Sequence, residues 1–574
     1  MSLLNTFTVP GSKSMTNRAL LIAAATPGKT IIHNGLESDD TKVMQKALKE
    51  LGVKIIKKKN TLTVVSPQQY NQTKNALFCG NSGTTVRFLT ALLASQKNEY
   101  VIDGDARMRE RPIGDLVDAL RNLGATITYQ KKEGYVPLRV HGPFTKTNSS
   151  VRGETSSQYL SALLMSAGAS KKTITIKVRG KLVSKPYIDM TIELMKQCGA
   201  QVKRTGYTSF AVTTNGYHTN DIYIEGDASA ATYFWGLSAL TGYSLEITNV
   251  SNNTLQPDSA VKIWAQKICS SKEKKLTIDA RDFPDGAMTL IVLSALIPGE
   301  WKFIGLHNLR VKESDRLHAL ATELTKIGVK IKEHPDGITV IGQKSGFKKA
   351  KIQTYNDHRI AMCFGMIQTI LPHITIMNPE CVSKTYPQFW KDLGKVRCKI
   401  AEQNIVLTGM RGSGKSFLGK RLAKKLKRTF IDTDEEICKK IKQPIADFVR
   451  EKGWPAFRAI ERSVVRKLSY KKNAVISTGG GVIMDERNVS ELKKNGRIIF
   501  LHCTIDILKK RLQKDTERPS LTQHQNVINE LPAIFKQRLP YYEQTADARL
   551  PVSDKQMGRK MRSLIAITQN WGIL

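Results

Sequence analysis

Two kinds of residue cluster in this 574-residue chain could do chemistry. Toward the carboxyl end, Gly409-Met410-Arg411-Gly412-Ser413-Gly414-Lys415-Ser416 follows the apolar run Ile405-Val406-Leu407 and precedes a lysine-rich helical stretch. Strand, glycine loop and helix in that order make a phosphate cradle. Gly412, Ser413 and Gly414 bring backbone N–H groups to a nucleotide, Lys415 reaches its outer phosphates, and Ser416 offers a hydroxyl to Mg²⁺. Three later segments offer groups for an acceptor: Asp432 and Asp434 in FIDTDEEI, Arg458 and Glu461 in PAFRAIE, and Gly479, Gly480 and Gly481 in STGGGV. Each closes a strand or opens a helix, where a parallel sheet presents its ligands.

The first two thirds hold the second kind. Basic residues and Ser, Asn or Gly gather at expected element ends in PGSKSMTNR (Lys13, Ser14, Arg18), GNSGTTVR (Asn81, Gly83, Thr84, Arg87), ARMRERP (Arg111) and ETSSQYL (Ser156, Ser157, Gln158). The same holds for SKPYID (Ser184, Tyr187), NLRVKESDR (Asn308, Lys312, Glu313, Arg316), YNDHR (Asp357, His358, Arg359) and SKTYP (Lys384). Together they predict a site for several phosphates and carboxylates at once. They include no nucleophile with a partner base, no phosphate loop and no metal-ligand spacing, so no cofactor is expected in this part.

The elements that must position these residues follow a repeat. A helix end, a glycine and a strand recur in ALKELGVKI (Gly52), ALRNLGATI (Gly124), LMKQCGAQV (Gly199) and ELTKIGVKI (Gly328), with degenerate relatives near Cys269 and Gly394. Glycine at a helix end that turns left-handed predicts six α/β units. The tail alternates short apolar strands (NIVLTG, TFIDTD, AVISTGG, RIIFLHC) with helical stretches, a parallel α/β sheet. The expected boundaries are 1–396, a linker at 397–403, and 404–574.

In this order after the phosphate loop, the tail segments resemble the shikimate kinase family. The resemblance implies that Asp434 binds the shikimate hydroxyls and acts as base, that Arg458 and Arg538 hold the carboxylate, and that Gly480 gives a backbone N–H. It implies Asp432 and Ser416 for the metal. For ATP it implies Gly412, Ser413, Gly414, Lys415, Ser416 and Phe417, with Arg511 near the adenine and Arg518 on a lid. Phe417 stands where the family has a small hydroxyl residue, and Trp454 where it has an acidic one.

The front stretches are similar to 5-enolpyruvylshikimate-3-phosphate synthase, through P-G-S-K-S-x-x-x-R, S-S-Q, S-K-P-Y, R-V-K-E-x-D-R, Y-N-D-H-R and K-T-x-P. That family folds as two subdomains of three α/β units, so the chain crosses between them near 14 and 228. The resemblance implies Asp285, Lys312 and Glu313 for proton transfer, with the division of acid and base open. Phosphoenolpyruvate would meet Lys13, Gly83, Arg111, Gln158, Arg316, Arg359 and Lys384. Shikimate 3-phosphate would meet Lys13, Ser14, Arg18, Ser156, Ser157, Gln158, Ser184, Tyr187, Asp285, Asn308 and Lys312. Phe88 and Thr85 replace the proline and alanine of one family branch. Like charges facing across the cleft predict an open ligand-free form.

Composition bounds these readings. Apolar residues at 41% and charged at 24% are globular values. The start lacks a basic-then-apolar signal pattern, and the apolar run near Met288 to Ile297 is too short for a membrane span, so a cytoplasmic protein without a membrane partner is expected. Eight scattered cysteines with no C-x-x-C pair predict buried or half-buried thiols. The net charge of +39 keeps an alternative in view, a nucleic-acid-binding protein with a regulatory P-loop ATPase tail. Its lysines are dispersed, with no arginine-rich tail and no aromatic-basic interleaving, so no specific nucleic acid is expected. The partners predicted are small molecules: shikimate, ATP, phosphoenolpyruvate and shikimate 3-phosphate.

Overall fold

Gly52, Gly124, Gly199 and Gly328 adopt φ of 91°, 99°, 92° and 91°, the left-handed region where a Cβ is penalised. In each case the next residue's N–H reaches back five positions, as from Val53 to Leu48 O (3.1 Å) and from Val329 to Leu324 O (3.1 Å). These bonds satisfy carbonyls that the helix end would leave orphaned. The helices so closed are Asp39–Glu50, Gly114–Asn122, Pro186–Gln197 and Arg316–Lys326. The computed structural model describes residues 5–170, 172–218, 220–513, 527–553 and 557–573. It divides into two compact units, Met1–Asp392 and Leu393–Leu574.

After each of these glycines an antiparallel strand pair joins a four-stranded sheet of one recurring order. In the first, Asp221–Tyr223 lies parallel to Gly28–His33, which pairs antiparallel with Thr61–Ser66, and that in turn with Lys54–Lys58. The order recurs in sheets centred on Glu99–Asp103, Ile174–Arg179 and Gly299–Ile304. Two further units keep only a parallel strand pair, Thr6–Phe7 with Glu246–Ile247 and Ala350–Ile352 with Ile374–Ile376. The degenerate copies lack the hairpin: the helix holding Cys269, Ala260–Ser270, leads straight to strand Lys275–Asp279.

Gly394 departs from the expectation more sharply, since it lies inside helix Phe389–Ala401. That helix also occupies most of the stretch expected as a linker at 397–403. Phe389, Leu393, Val396 and Ile400 are all buried and recur at helical spacing, and no proline interrupts them. Cys398 on the same helix is exposed, unlike the buried or half-buried state expected of the cysteines.

Where the first unit's chain passes between its two groups of sheets, its two strands run side by side. Gly11 and Gly226 form an antiparallel bridge, Ser12 N donates to Glu225 O (2.8 Å), and Asp227 N donates to Pro10 O (2.8 Å). A methyl group on Gly11 would sit 1.9 Å from Asn34 O, so only glycine fits that crossing. Three apolar helices of the first lobe, Lys13–Ala25, Gly83–Leu93 and Ser157–Ala169, are buried along nearly their whole length.

In the second unit five parallel strands stand in the order Thr429–Asp432, Ala474–Ser477, Asn404–Thr408, Gly496–His502, Ala548–Pro551. The central strand Asn404–Thr408 is buried throughout, and apolar clusters cover both faces of the sheet, as a doubly covered parallel sheet requires. Among the described residues no helix is long and apolar enough to cross a membrane.

Candidate active sites

Five polar residues of the front motifs are helix caps. Ser12, Ser82, Ser156, Asp315 and Asp357 each accept a backbone N–H at the start of the helices beginning at Lys13, Gly83, Ser157, Arg316 and His358. Helix N-termini favour anions, and Lys13, Gly83, Ser157, Arg316 and Arg359 stand at the first or second position of these helices. They line one cleft together with Ser14, Arg18, Arg111, Ser156, Gln158, Ser184, Tyr187, Asp285, Asn308, Lys312 and Glu313. Lys384 does not line it but pairs with Glu313 (Nζ to Oε1 3.3 Å). Ser184 sits at φ 52°, a conformation that costs a non-glycine residue energy and that serves here to start helix Pro186–Gln197 at the cleft.

Arg316, 1% exposed, is the hub of the charge network. It donates to Asp285 Oδ1 (2.9 Å) and Asp357 Oδ2 (2.7 Å) and pairs with Glu313 Oε2 (2.9 Å). Arg359 Nη2 lies 3.1 Å from Asp285 Oδ2, and Lys312 Nζ lies 3.8 Å from Asp285 Oδ1. Burial alone would raise the Asp285 and Glu313 carboxyls. For Asp285 the charges of Arg359, Lys312 and Arg316 outweigh it, for Glu313 those of Arg316, Lys384 and Arg111, and both are held below the usual carboxylate range. Burial also pulls the Lys312 ammonium down, with Asp285 opposing. Arg18 is pinned by Thr191 Oγ1 (2.7 Å), Ser161 Oγ (3.2 Å) and Ser14 O (3.0 Å), and burial lowers its value to about 10.

The two lobes of this unit touch across the cleft. Arg107 bonds the backbone of Lys312 and Glu313 from the opposite lobe, and Lys384 Nζ donates to Asn81 O (3.1 Å). Carboxylates interleaved among the cations offset the repulsion that composition suggests: Asp40 faces Lys13 (3.2 Å), while Asp285, Glu313 and Asp357 surround Arg316.

Sequence reasoning missed Asp40, Asp227 and Asp258. Asp227 accepts from Lys13 N (2.8 Å) and Ala230 N (3.1 Å), and the Gly-Asp-Ala-Ser run before an apolar helix was its legible signal. Asp258, 1% exposed, accepts from Gly286 N (3.1 Å) behind Asp285 and also binds Ser229 Oγ. Burial raises its carboxyl to about 6, Arg359 opposing.

In the second unit Gly412 and Gly414 take φ of 81° and 90° and lead into helix Lys415–Leu426. Lys415 Nζ folds back on the loop carbonyls of Gly409 (2.9 Å) and Met410 (3.0 Å). Ser416 Oγ donates to Asp432 Oδ2 (2.6 Å) and lies 3.3 Å from Ser477 Oγ, a cluster of hard oxygen donors that suits Mg²⁺. Arg511 Nη1 donates to Gly412 O (2.9 Å), and Ser413 Oγ is buried inside the loop. Phe417 points outward, 49% exposed, with the Arg421 guanidinium 4.1 Å from its ring centroid. Arg518 lies outside the described residues.

Beside the loop a cleft is lined by Lys415, Asp434, Trp454, Arg458, Glu461, Gly480 and Arg538, with Glu530, which sequence reasoning did not single out. Arg458 Nη1 donates to Glu461 Oε2 (2.7 Å), and the Trp454 ring centroid lies 5.5 Å from its guanidinium. The helix carrying these residues, Ile445–Ser469, kinks at Gly453 (φ 76°), which turns Trp454 and Arg458 toward the sheet's carboxyl edge.

Comparison with known proteins matches residues 2–393 to the family "EPSP synthase (3-phosphoshikimate 1-carboxyvinyltransferase)" and residues 411–568 to "Shikimate kinase". A 3-phosphoshikimate 1-carboxyvinyltransferase of Escherichia coli (strain SMS-3-5 / SECEC) is 40% identical over 410 residues, spanning 68% of this chain and 96% of its own. The solved EPSP synthase of Acinetobacter baumannii is similar in fold, with TM-score 0.56 and 24% identity over 68% of this chain and 95% of that one. A shikimate kinase of Acinetobacter baumannii, solved with shikimate, is 30% identical over 29% of this chain and 94% of its own, with TM-score 0.27.

Proposed function

The chain belongs to the EPSP synthase family and carries a shikimate kinase domain behind it, making it a bifunctional shikimate-pathway enzyme, and we propose that its two clefts perform consecutive steps. The second cleft moves the γ-phosphoryl group of ATP onto shikimate. The first joins the enolpyruvyl group of phosphoenolpyruvate to the 5-hydroxyl of shikimate 3-phosphate and releases phosphate. One observation carries the reading of the first cleft: five capped helix N-termini and a ring of cations, Lys312, Arg316 and Arg359, converge around Asp285. We take the synthase to occupy 1–396 and the kinase 404–574.

In the synthase, Lys13, Ser14, Arg18, Ser156, Ser157, Gln158, Ser184, Tyr187 and Asn308 hold shikimate 3-phosphate. Lys13, Gly83, Arg111, Gln158, Arg316, Arg359 and Lys384 hold phosphoenolpyruvate. Arginine suits these roles because its planar fork meets carboxylate and phosphate oxygens in pairs. Ionised Asp285 accepts the proton of the 5-hydroxyl as that oxygen attacks the vinyl carbon bearing the phosphate. The double-bond electrons take a proton from the Lys312 ammonium at the methylene carbon, giving a tetrahedral intermediate. The neutral Lys312 amine then takes back a methyl proton, the double bond re-forms, and phosphate departs with the proton held on Asp285. Glu313 fixes Arg316 and Lys384. The arriving substrate anions raise the carboxylates and Lys312 toward their ordinary values.

In the kinase, Asp434 takes the proton of the shikimate hydroxyl, Arg458 and Arg538 bind its carboxylate, and Gly480 donates a backbone N–H. Glu461 holds Arg458 in place. Lys415 leaves the loop carbonyls for the nucleotide phosphates, with Gly412, Ser413, Gly414, Phe417, Arg511 and Arg518 around the nucleotide. Ser416 and Asp432 would hold Mg²⁺, which when bound would supply positive charge against that of the phosphates. We infer a cytoplasmic enzyme with small-molecule substrates; neither family match supports the nucleic-acid-binding alternative.

The test supplies purified protein with ATP, Mg²⁺, shikimate and phosphoenolpyruvate. Lys415→Ala should abolish ADP formation while added shikimate 3-phosphate still releases phosphate, and Arg359→Ala should do the reverse. Loss of both activities in either folded variant contradicts the assignment.

A further inference from the structure

Arg107 belongs to neither ligand set, yet its guanidinium makes the most direct link between one lobe and the proton-transfer segment of the other. Nη2 donates to Lys312 O (3.0 Å) and Nε to Glu313 O (3.2 Å), contacts that span 205 and 206 residues of sequence. The third nitrogen, Nη1, donates to Glu110 Oε2 (2.7 Å), which aims the fork across the cleft. Arg107 itself stands on a braced turn: Met108 N and Arg109 N bond Asp105, and Arg109 Nε bonds Asp103 Oδ1 (2.9 Å).

The segment it grips needs such a hold. Lys312 and Glu313 lie between the short turn His307–Val311 and helix Arg316–Lys326, outside the hydrogen-bond ladder of either element. Their side chains face a crowded set of charges, and a rotation of the peptide between them would move both Lys312 Nζ and the Glu313 carboxylate. Two parallel N–H bonds to successive carbonyls fix that peptide, and a guanidinium does this where an ammonium cannot.

We propose that Arg107 is a positioning residue for the synthase reaction, a clasp that orients the Lys312–Glu313 backbone when the lobes meet and so ties closure to assembly of the proton-transfer groups. The inference rests on the synthase reading above. It also assigns a role to the first arginine of ARMRERP, distinct from that of Arg111, which bonds Asn81 within its own lobe (Nη1 to Oδ1 3.0 Å).

The test measures synthase turnover, shikimate 3-phosphate affinity and kinase turnover in the full chain for Arg107→Ala, Arg107→Lys and Glu110→Gln. Arg107→Ala should lower synthase kcat about tenfold or more, as loss of two charge-assisted bonds implies, with the Kd of shikimate 3-phosphate alone and the kinase rate unchanged. X-ray scattering with shikimate 3-phosphate and phosphate should show less compaction than in the parent. Arg107→Lys should recover little of the kcat and Glu110→Gln should lose less. Unchanged kcat in Arg107→Ala overturns the clasp, as does a Kd that weakens in step with kcat. Should Arg107→Ala fail to fold, unchanged kcat in both Arg107→Lys and Glu110→Gln overturns it. A parent enzyme that cannot convert shikimate 3-phosphate and phosphoenolpyruvate would instead sink the synthase reading itself.

Discussion

Lys312 Nζ stands 3.8 Å from Asp285 Oδ1, and the two groups are driven the same way by different forces. Burial lowers the ammonium; around the carboxylate, three cations overcome burial and lower it too. The lysine is thereby made a readier proton donor, and the aspartate stays ionised as an acceptor.

The pH profile of synthase kcat/KM should reflect this pair, because that parameter reports groups of the free enzyme. Activity requiring the Lys312 ammonium falls as pH rises through its pKa, so the alkaline limb should appear below the usual lysine value of 10.5. Asp285 is ionised above its lowered value and should contribute no acid limb above its ordinary 3.8. Lys312→Ala should lose roughly 10²- to 10⁴-fold in kcat, the usual worth of a general acid. A profile flat through pH 10 would assign the proton to another group.

The caps were legible and the network was not, for one physical reason. A Ser or Asp that bonds an N–H two or three residues on is written in local sequence, as at Ser12, Ser82 and Asp357. So are the four left-handed glycines, each a consequence of the helix before it. Arg316 bonds Asp357 41 residues away, and Arg107 reaches Lys312 across 205. Such pairings depend on how helices are stacked, which no local pattern encodes. Gly394 shows the reverse error: it has the glycine of the motif, but the buried apolar stripe running past it decides for a continuous helix.

Asp258 should make stability depend on pH. Its folded value is raised from 3.8 to about 6, so its favourable contribution is complete below pH 3.8 and is lost as pH rises through 6. Above that the buried charge costs up to about 3 kcal/mol. Asp258→Asn keeps an acceptor for Gly286 N and should gain stability relative to the parent between about pH 5 and 8, read from thermal melts. A difference in Tm that stays constant over this range would show that Asp258 does not titrate there.

Trp454 should matter to shikimate binding through Arg458, whose guanidinium it faces at 5.5 Å while Glu461 holds the other side. Trp454→Ala should raise the shikimate KM about 3- to 30-fold, the range of a cation–π contact, with a smaller effect on kcat. Steady-state kinase kinetics at saturating ATP measure it. A KM equal to the parent's would leave Glu461 as the sufficient support.

Gly83 and Gly394 should respond oppositely to alanine although neither has a left-handed φ. A methyl group on Gly83 would lie 2.6 Å from Arg111 Nη2, and Arg111 is 4% exposed and tied to Asn81, so its guanidinium must move within a packed wall. Overpacking of about 1–3 kcal/mol predicts a loss of roughly tenfold or more in kcat/KM for phosphoenolpyruvate. Binding of shikimate 3-phosphate, on the Arg18 and Ser157 side, should be preserved. A methyl group on Gly394 meets nothing within 4 Å inside a helix, so Gly394→Ala should stabilise by about 0.5–1 kcal/mol through the entropy of the unfolded chain. Kinetics and melting of the two variants side by side separate a glycine kept for the ligand from one the helix merely tolerates.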